Sequence, residues 1–225
     1  MSRSFGFVDE KVREADYFLE GLKVAGPDLE EARYIFNAFA SSARSITFSL
    51  QAVMKPIPGF SDWYQTKQSE LKKDALAQFF VTMRNESQKI GSTPLNRGTM
   101  RSTDEGKLDI KFWFRSTNPS IPLSNAPDSD VVTACRNYLI ILVKVVYDCY
   151  REFGNVIDPR KFYSLEEISK RGQTVKDLER HLGFPEGWTR VSKVSDEQRI
   201  KKLTERIPDA NIDAMFLKYL GCSRP

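Results

Sequence analysis

Leu29-Glu30-Glu31-Ala32-Arg33-Tyr34-Ile35-Phe36-Asn37-Ala38-Phe39-Ala40-Ser41-Ser42-Ala43-Arg44-Ser45-Ile46-Thr47-Phe48-Ser49-Leu50-Gln51-Ala52-Val53 is the stretch on which the fold class turns. Leu29, Ala32, Phe36, Phe39, Ala43, Ile46, Leu50 and Val53 recur at spacings of 3-4-3-4-3-4-3. On an α-helix this places all eight on one stripe, a seam that packs against neighbouring helices at a shallow angle. Asp28 and Glu31 follow Pro27 in a capping-box pattern, and Pro56-Ile57-Pro58-Gly59 stops the helix.

Toward the N-terminus, Val8, Val12, Ala15, Leu19 and Leu22 share the same periodicity and predict a helix from about Val8 to Lys23, ended by Gly26-Pro27. Toward the C-terminus, a third helix is expected from Ser61 to Ile90. Its face carries Trp63, Leu71, Ala75, Phe79, Met83, Ser87 and Ile90, widened by Leu76 and Phe80 and closed by Gly91 and Pro94. A fourth begins at Asp128-Ser129-Asp130 and runs to about Phe153, with Val131, Cys135, Tyr138, Leu142, Val145, Cys149 and Phe153 as its stripe. Its β-branched content suits a strand, but roughly 25 residues without Gly or Pro are too many for one, so length decides for helix.

Residues 92–119 change character. Leu108, Ile110, Phe112 and Phe114 alternate with Asp109, Lys111, Trp113 and Arg115, the period of a strand with one apolar face. Asp104-Glu105-Gly106 supplies a turn back to a shorter strand around Thr99 to Ser102. Beyond Gly154, Ser164 with Glu167, Thr174 with Asp177 and Ser195 with Gln198 cap short helices, separated by Gly172, Gly183 and Pro208. The expectation is a mainly α protein. A bundle of four long helices over 1–155 carries a β-hairpin inserted near 92–119. A small appendage of short helices occupies 156–225.

The bulk properties fit one such chain. It has 225 residues, 40% hydrophobic and 28% charged, with a formal net charge of +4. These are globular values, and the slight positive excess permits nucleic-acid contact without requiring it. The most apolar run, Val131 to Val146, is broken by Arg136 and Lys144 and is shorter than the ~20 residues that span a bilayer, so no membrane association is expected. The N-terminus lacks the apolar run of a signal peptide. Cys135, Cys149 and Cys222 form no CxxC, and two of them sit on a core stripe. The expected compartment is a reducing cytoplasm.

Most catalytic signatures are missing. There is no Walker A loop, GxGxxG, GxSxG or HExxH. A single histidine, His181, excludes a multi-His metal site within one subunit, and its place in the last turn of a short helix suits the helix dipole. Glu30-Glu31 and Glu166-Glu167 fall in first helical turns, where negative charge is favoured, so they read as capping carboxylates rather than acid–base pairs. No metal and no cofactor is expected.

Three patterns could recognise a ligand. The first is Phe79-Phe80-Val81-Thr82-Met83-Arg84-Asn85-Glu86-Ser87-Gln88-Lys89, in which a polar Arg-Asn pair follows a bulky apolar stretch on a long helix. Here the chain, over about residues 8 to 153, resembles HEPN proteins, the higher eukaryote and prokaryote nucleotide-binding superfamily. That family carries, on a helical bundle, an Arg often followed by Asn and then, shortly after, His. Arg84 and Asn85 match, whereas Lys89, Ile90 and Gly91 stand where the His would fall.

The resemblance implies Arg84, Asn85 and Lys89 as the catalytic positions of a metal-independent ribonuclease whose motifs meet across a homodimer. Lysine, with a reference pKa of about 10.4, is a poor general base near pH 7. The expectation is therefore a non-catalytic or weakly catalytic HEPN-like protein. It would contact RNA or a protein partner, in a setting such as bacterial defence or a toxin–antitoxin pair. An active dimeric ribonuclease and a structural interaction protein are the alternatives.

The second pattern is the polar face of the hairpin. Arg97, Arg101, Lys107, Lys111, Trp113 and Arg115 could hold a nucleic-acid backbone while Trp113 stacks a base. The third is the helix, Gly172 turn, helix arrangement from Ser164 to Leu182, which has helix-turn-helix length. Twelve Lys/Arg against eight Asp/Glu between Arg160 and Arg206 make DNA a further candidate partner.

Overall fold

A computed structural model describes residues 4–25, 27–91, 93–102, 108–116, 123–205 and 212–225; for residues 90, 97–102 and 108–109 it describes the backbone alone. Two helices, α1 (Gly6–Val24) and α2 (Leu29–Met54), pack along each other after a short connection. Their seams face inward as their periodicity requires. Val8, Val12, Ala15, Leu19 and Leu22 of α1 are buried, as are Ala32, Phe36, Phe39, Ala43, Ile46, Leu50 and Val53 of α2. Asp28 starts α2 by accepting the backbone N–H groups of Glu30 and Glu31 at 2.9 and 3.2 Å, satisfying donors that a helix start leaves unpaired.

The stretch expected as one helix from Ser61 to Ile90 is two: α3 (Phe60–Lys73) and α4 (Ala75–Ile90). Asp74 makes the break. Its backbone is extended, and its carboxylate accepts the Ala77 N–H at 2.8 Å, capping α4. A short acidic side chain that reaches its own backbone competes with helix continuation. The break rotates α4, so Ala77, Phe79, Phe80 and Met83 are buried while Ala75 is exposed.

The inserted hairpin is present, with β1 (Leu95–Ser102) antiparallel to β2 (Leu108–Phe114) and a longer first strand than the sequence pattern suggests. The expected Asp104-Glu105-Gly106 turn lies outside the described residues. Phe112 is buried, and the Phe114 ring meets Phe79, Phe36 and Phe80 at 4.8, 5.6 and 6.3 Å between centroids. Arg33 donates to the Leu95 carbonyl at 3.0 Å, and Thr93 donates to Asn37 at 2.9 Å, fixing the base of the hairpin to α2. A register irregularity between Arg97 and Met100 bends the ladder.

Helix α5 (Val131–Ile157) starts at Asp130, which accepts the Thr133 N–H at 3.1 Å. It outruns the expected end at Phe153, whose backbone leaves the helical region while the helix resumes beyond it. Val131, Cys135, Tyr138, Leu142, Val145 and Cys149 are all buried. The protein is mainly α, with one small antiparallel hairpin.

The chain forms two compact units, Met1–Val146 with Ile212–Ser223, and Tyr147–Asn211 with Arg224–Pro225. The division expected between residues 155 and 156 falls instead within α5. The last helix, which sequence proximity assigns to the appendage, belongs to the first unit. The second unit holds α6 (Pro159–Phe162), α7 (Leu165–Lys170), α8 (Val175–His181) and α9 (Asp196–Thr204). Its core is Ile168, Val175, Leu178, Ile200 and Leu203. Its caps are those expected: Ser164 on Glu167, and full capping boxes at Thr174–Asp177 and Ser195–Gln198. Back in the first unit, α10 (Ile212–Leu220) lies against α1, where Lys218 pairs with Asp16 at 2.6 Å and Glu20 at 2.7 Å and the Tyr219 hydroxyl donates to Asp16.

Candidate functional site

The Arg-Asn pair sits in the last two turns of α4, beyond the Phe79–Phe80 anchor that seats the helix on α2 and the hairpin. Because Phe80 is fully buried, a residue four positions later on the same face stays near the protein interior. Arg84 is accordingly half-buried. Its Nη1 donates to the neighbouring Asn85 Oδ1 at 3.2 Å, while its Nε is buried with no hydrogen-bond partner. Among the described residues no carboxylate pairs with it. Asn85 and Lys89 are exposed. Arg84 is thus a partly desolvated cation whose buried Nε is unmatched among the described residues. Such a donor set suits an oxyanion, and the buried Nε carries a free-energy cost until one arrives.

The hairpin does not present the six expected residues as one row. Lys111 and Arg115 are exposed, and Trp113, two residues from each, is half-buried. Arg101 stands opposite Asp109, in the row of Lys111 and Trp113, but Arg97 stands opposite Phe112, in the inward row. The irregularity between Arg97 and Met100 causes this shift, because an extra residue in one strand exchanges faces across it. The side chains of Arg97 and Arg101, and Lys107 altogether, lie outside the described residues.

In the second unit some basic residues are matched to carboxylates, while Lys161, Arg171, Lys176, Arg190, Lys193 and Lys201 pair with none among the described residues. Lys170 pairs with Glu166 and Glu167 at 2.7 and 2.8 Å, Arg180 with Asp177 at 3.2 Å and with Glu186, and Lys202 with Glu205 at 3.0 Å. The helix-turn-helix candidate therefore keeps several cations without a carboxylate partner among the described residues. His181 lies in the last turn of α8, exposed, with its ring 6.1 Å from that of Tyr163.

One buried acid here escaped the sequence reading. Glu179 is fully buried and accepts from the Thr189 N–H at 2.8 Å, the Thr189 hydroxyl, the Gly187 N–H and Arg199 Nη2 at 3.3 Å. Burial alone would raise its pKa. The hydrogen bonds from Thr189, Gly187 and Arg199 outweigh that and hold it down at about 2. Its position four residues after Val175 was the available signal that it shares that residue's inward face. Three of these bonds meet Oε1 and one meets Oε2, so Glu179 clamps the 187–189 turn.

Among the described residues no cluster of three His, Cys, Asp or Glu could hold a metal ion, and no helix is long and apolar enough to cross a membrane. Cys135, Cys149 and Cys222 are free thiols, the first two buried.

The model of one protein family, described as bacteriophage lambda protein ea47, matches residues 7–99. The matched region covers α1 to α4 and the first residues of β1, and so includes Arg84, Asn85 and Lys89. No curated protein and no solved structure is a significant match.

Proposed function

We propose that this chain is a HEPN-like helical binding protein that contacts RNA through Arg84 and has little or no catalytic activity of its own. The observation that supports it is the state of Arg84, half-buried and, among the described residues, without a carboxylate partner and with a buried Nε that has no acceptor. An RNA phosphate supplies oxygen acceptors and negative charge together, and a guanidinium binds it without regard to sequence. Exposed Lys111 and Arg115 on the hairpin add positive charge for a backbone to follow, with Trp113 between them as a stacking surface. The position that would hold a proton-transferring His carries Lys89.

In this reading the protein acts as a cytoplasmic homodimer, which pairs two copies of the Arg84 face. The similarity over residues 7–99 to a phage protein family fits a phage–host setting such as defence or toxin–antitoxin control.

Fluorescence anisotropy with a labelled single-stranded RNA tests the proposal. Wild type is expected to bind, more weakly as salt is raised, and Arg84→Ala is expected to weaken binding by about tenfold or more. Binding that is indifferent to Arg84→Ala overturns the site. No binding at either salt concentration favours a protein partner instead.

A further inference from the structure

The first unit leaves a cleft of about 300 Å³ between α2, α3, α4 and the first part of α5. This volume is at the lower end of small-molecule sites. Leu71, Ala77, Val81 and Leu142 form its apolar walls. Its polar lining includes two cations, Arg44 and Lys72, and two phenols, Tyr64 and Tyr138, beside Thr47, Gln68, Gln78 and Thr82.

Tyr138 lines the cleft and is 2% exposed, and its hydroxyl has no hydrogen-bond partner among the described residues. Burial pushes this phenol up to about 12, against a weaker opposing pull from Arg44, so at neutral pH it keeps its proton and can donate. Tyr64 is also buried. Its hydroxyl receives Gln51 Nε2 at 3.0 Å and lies 3.5 Å from the Thr47 carbonyl.

Arg44 stands at the same cleft, with Nη1 on Thr47 Oγ1 at 3.1 Å and its guanidinium carbon 4.5 Å from the centre of the Phe48 ring. Neither Arg44 nor Lys72, the second cation of the lining, pairs with a carboxylate among the described residues. Donors and positive charge therefore meet apolar side chains at this cleft, and no Asp or Glu is among its described lining residues.

We propose that this cleft binds a small organic carboxylate with a ring-sized apolar body. Its carboxylate sits at Arg44, accepting also from the Tyr138 hydroxyl, and its ring lies between Leu71, Val81 and Leu142. The guanidinium fork matches a carboxylate geometrically, and the Tyr138 phenol, which keeps its proton, can donate to it. An inorganic anion would leave the apolar walls unused, and a neutral ring would leave both donors unmatched. The site lies apart from the Arg84 motif and does not depend on the RNA-binding proposal.

Naphthalene-2-carboxylate and its neutral carboxamide serve as probes, titrated into the full chain by calorimetry, with inorganic phosphate as a third arm. The carboxylate is expected to bind saturably at one per chain, the carboxamide about tenfold or more weakly, and phosphate not measurably. Arg44→Gln should abolish the preference for the carboxylate while leaving carboxamide binding in place. Tyr138→Phe should weaken carboxylate binding with the thermal midpoint little changed. Val81→Trp, at a half-exposed wall position, should fill the cleft and remove binding of both rings. Circular dichroism melts establish that each variant is folded. If Val81→Trp does not fold, the Arg44→Gln and Tyr138→Phe titrations still decide. Equal binding of carboxylate and carboxamide, binding unaffected by Arg44→Gln, or no saturable binding to wild type would each overturn the proposal.

Discussion

Phe80 and Tyr138 stack face to face, with ring centroids 4.4 Å apart and planes only 4° from parallel. The pair joins α4 to α5. Phe80 also meets Phe36 and Phe39 of α2, both at 6.0 Å, so one side chain connects three helices of the first unit. Tyr138 also lines the cleft. A core contact and a candidate binding group therefore share a single residue, and substitutions at the two rings separate packing from recognition.

Phe80→Ala is expected to destabilise the protein by about 3–5 kcal/mol, the usual range for emptying a fully packed aromatic site. Phe80→Leu, which keeps much of the volume, should cost less than half as much. Urea denaturation followed by circular dichroism measures both. An unchanged midpoint for Phe80→Ala would mean that this ring cluster does not support the fold.

Asp74 separates two helices and caps the second. Asp74→Ala is expected to cost roughly 1 kcal/mol, because it strips the acceptor from the Ala77 N–H, while Asp74→Ser or Asp74→Asn should retain most of the stability. A loss as large in Asp74→Asn as in Asp74→Ala would argue that the charge of Asp74, rather than its capping bond, matters.

Glu179 makes stability depend on acidity. Its folded pKa of about 2 lies below the ordinary carboxylate value of 4.5, so the stabilisation it provides is complete above about pH 4.5. That contribution is lost as pH falls from there toward 2, since the unfolded chain takes up the proton first. Glu179→Gln should remove this acid-sensitive component and weaken the protein at neutral pH by roughly 1–3 kcal/mol, through mismatched donors at Thr189 and Arg199. Thermal melts of both forms across this pH range measure the difference. Parallel pH profiles for wild type and variant would contradict the assignment.

RNA incubated with the purified protein in the presence of a chelator is expected to survive intact. A positioned proton-transfer residue supplies about 10²–10⁴-fold in rate, and the His that the HEPN resemblance calls for is replaced by Lys89. Gel analysis of a labelled RNA settles the matter. Robust cleavage that disappears in both Arg84→Ala and Lys89→Ala would establish a ribonuclease that uses the lysine.

Much of the fold was legible because its signals are local. The 3-4 spacing of α1, α2 and α5 and the alternation of Ile110, Phe112 and Phe114 each belong to one element whose apolar face must be covered. The caps at Thr174 and Ser195 depend on residues three positions apart. The Asp74 break was legible in principle, since Lys72-Lys73 before an Asp is a helix end followed by a helix start. The apolar spacing across it masked the signal. The inward row of Arg97 was not legible, because the hairpin's register depends on an irregularity that only strand pairing reveals.

The candidate sites divide in the same way. The sequence by itself determined that Arg84 and Asn85 lie on a helix next to a buried aromatic pair, and that Tyr138 lies on the core stripe of another, because helical periodicity assigns each side chain a face. Only the tertiary structure decided that, among the described residues, Arg84 Nε finds no acceptor, that Tyr138 lines a cleft, and that Arg44 stands beside it without a carboxylate partner. A side chain's face follows from its own neighbours in sequence. Whether its polar atoms are matched depends on groups brought from tens of residues away, and that matching is what makes a residue structural or available to a ligand.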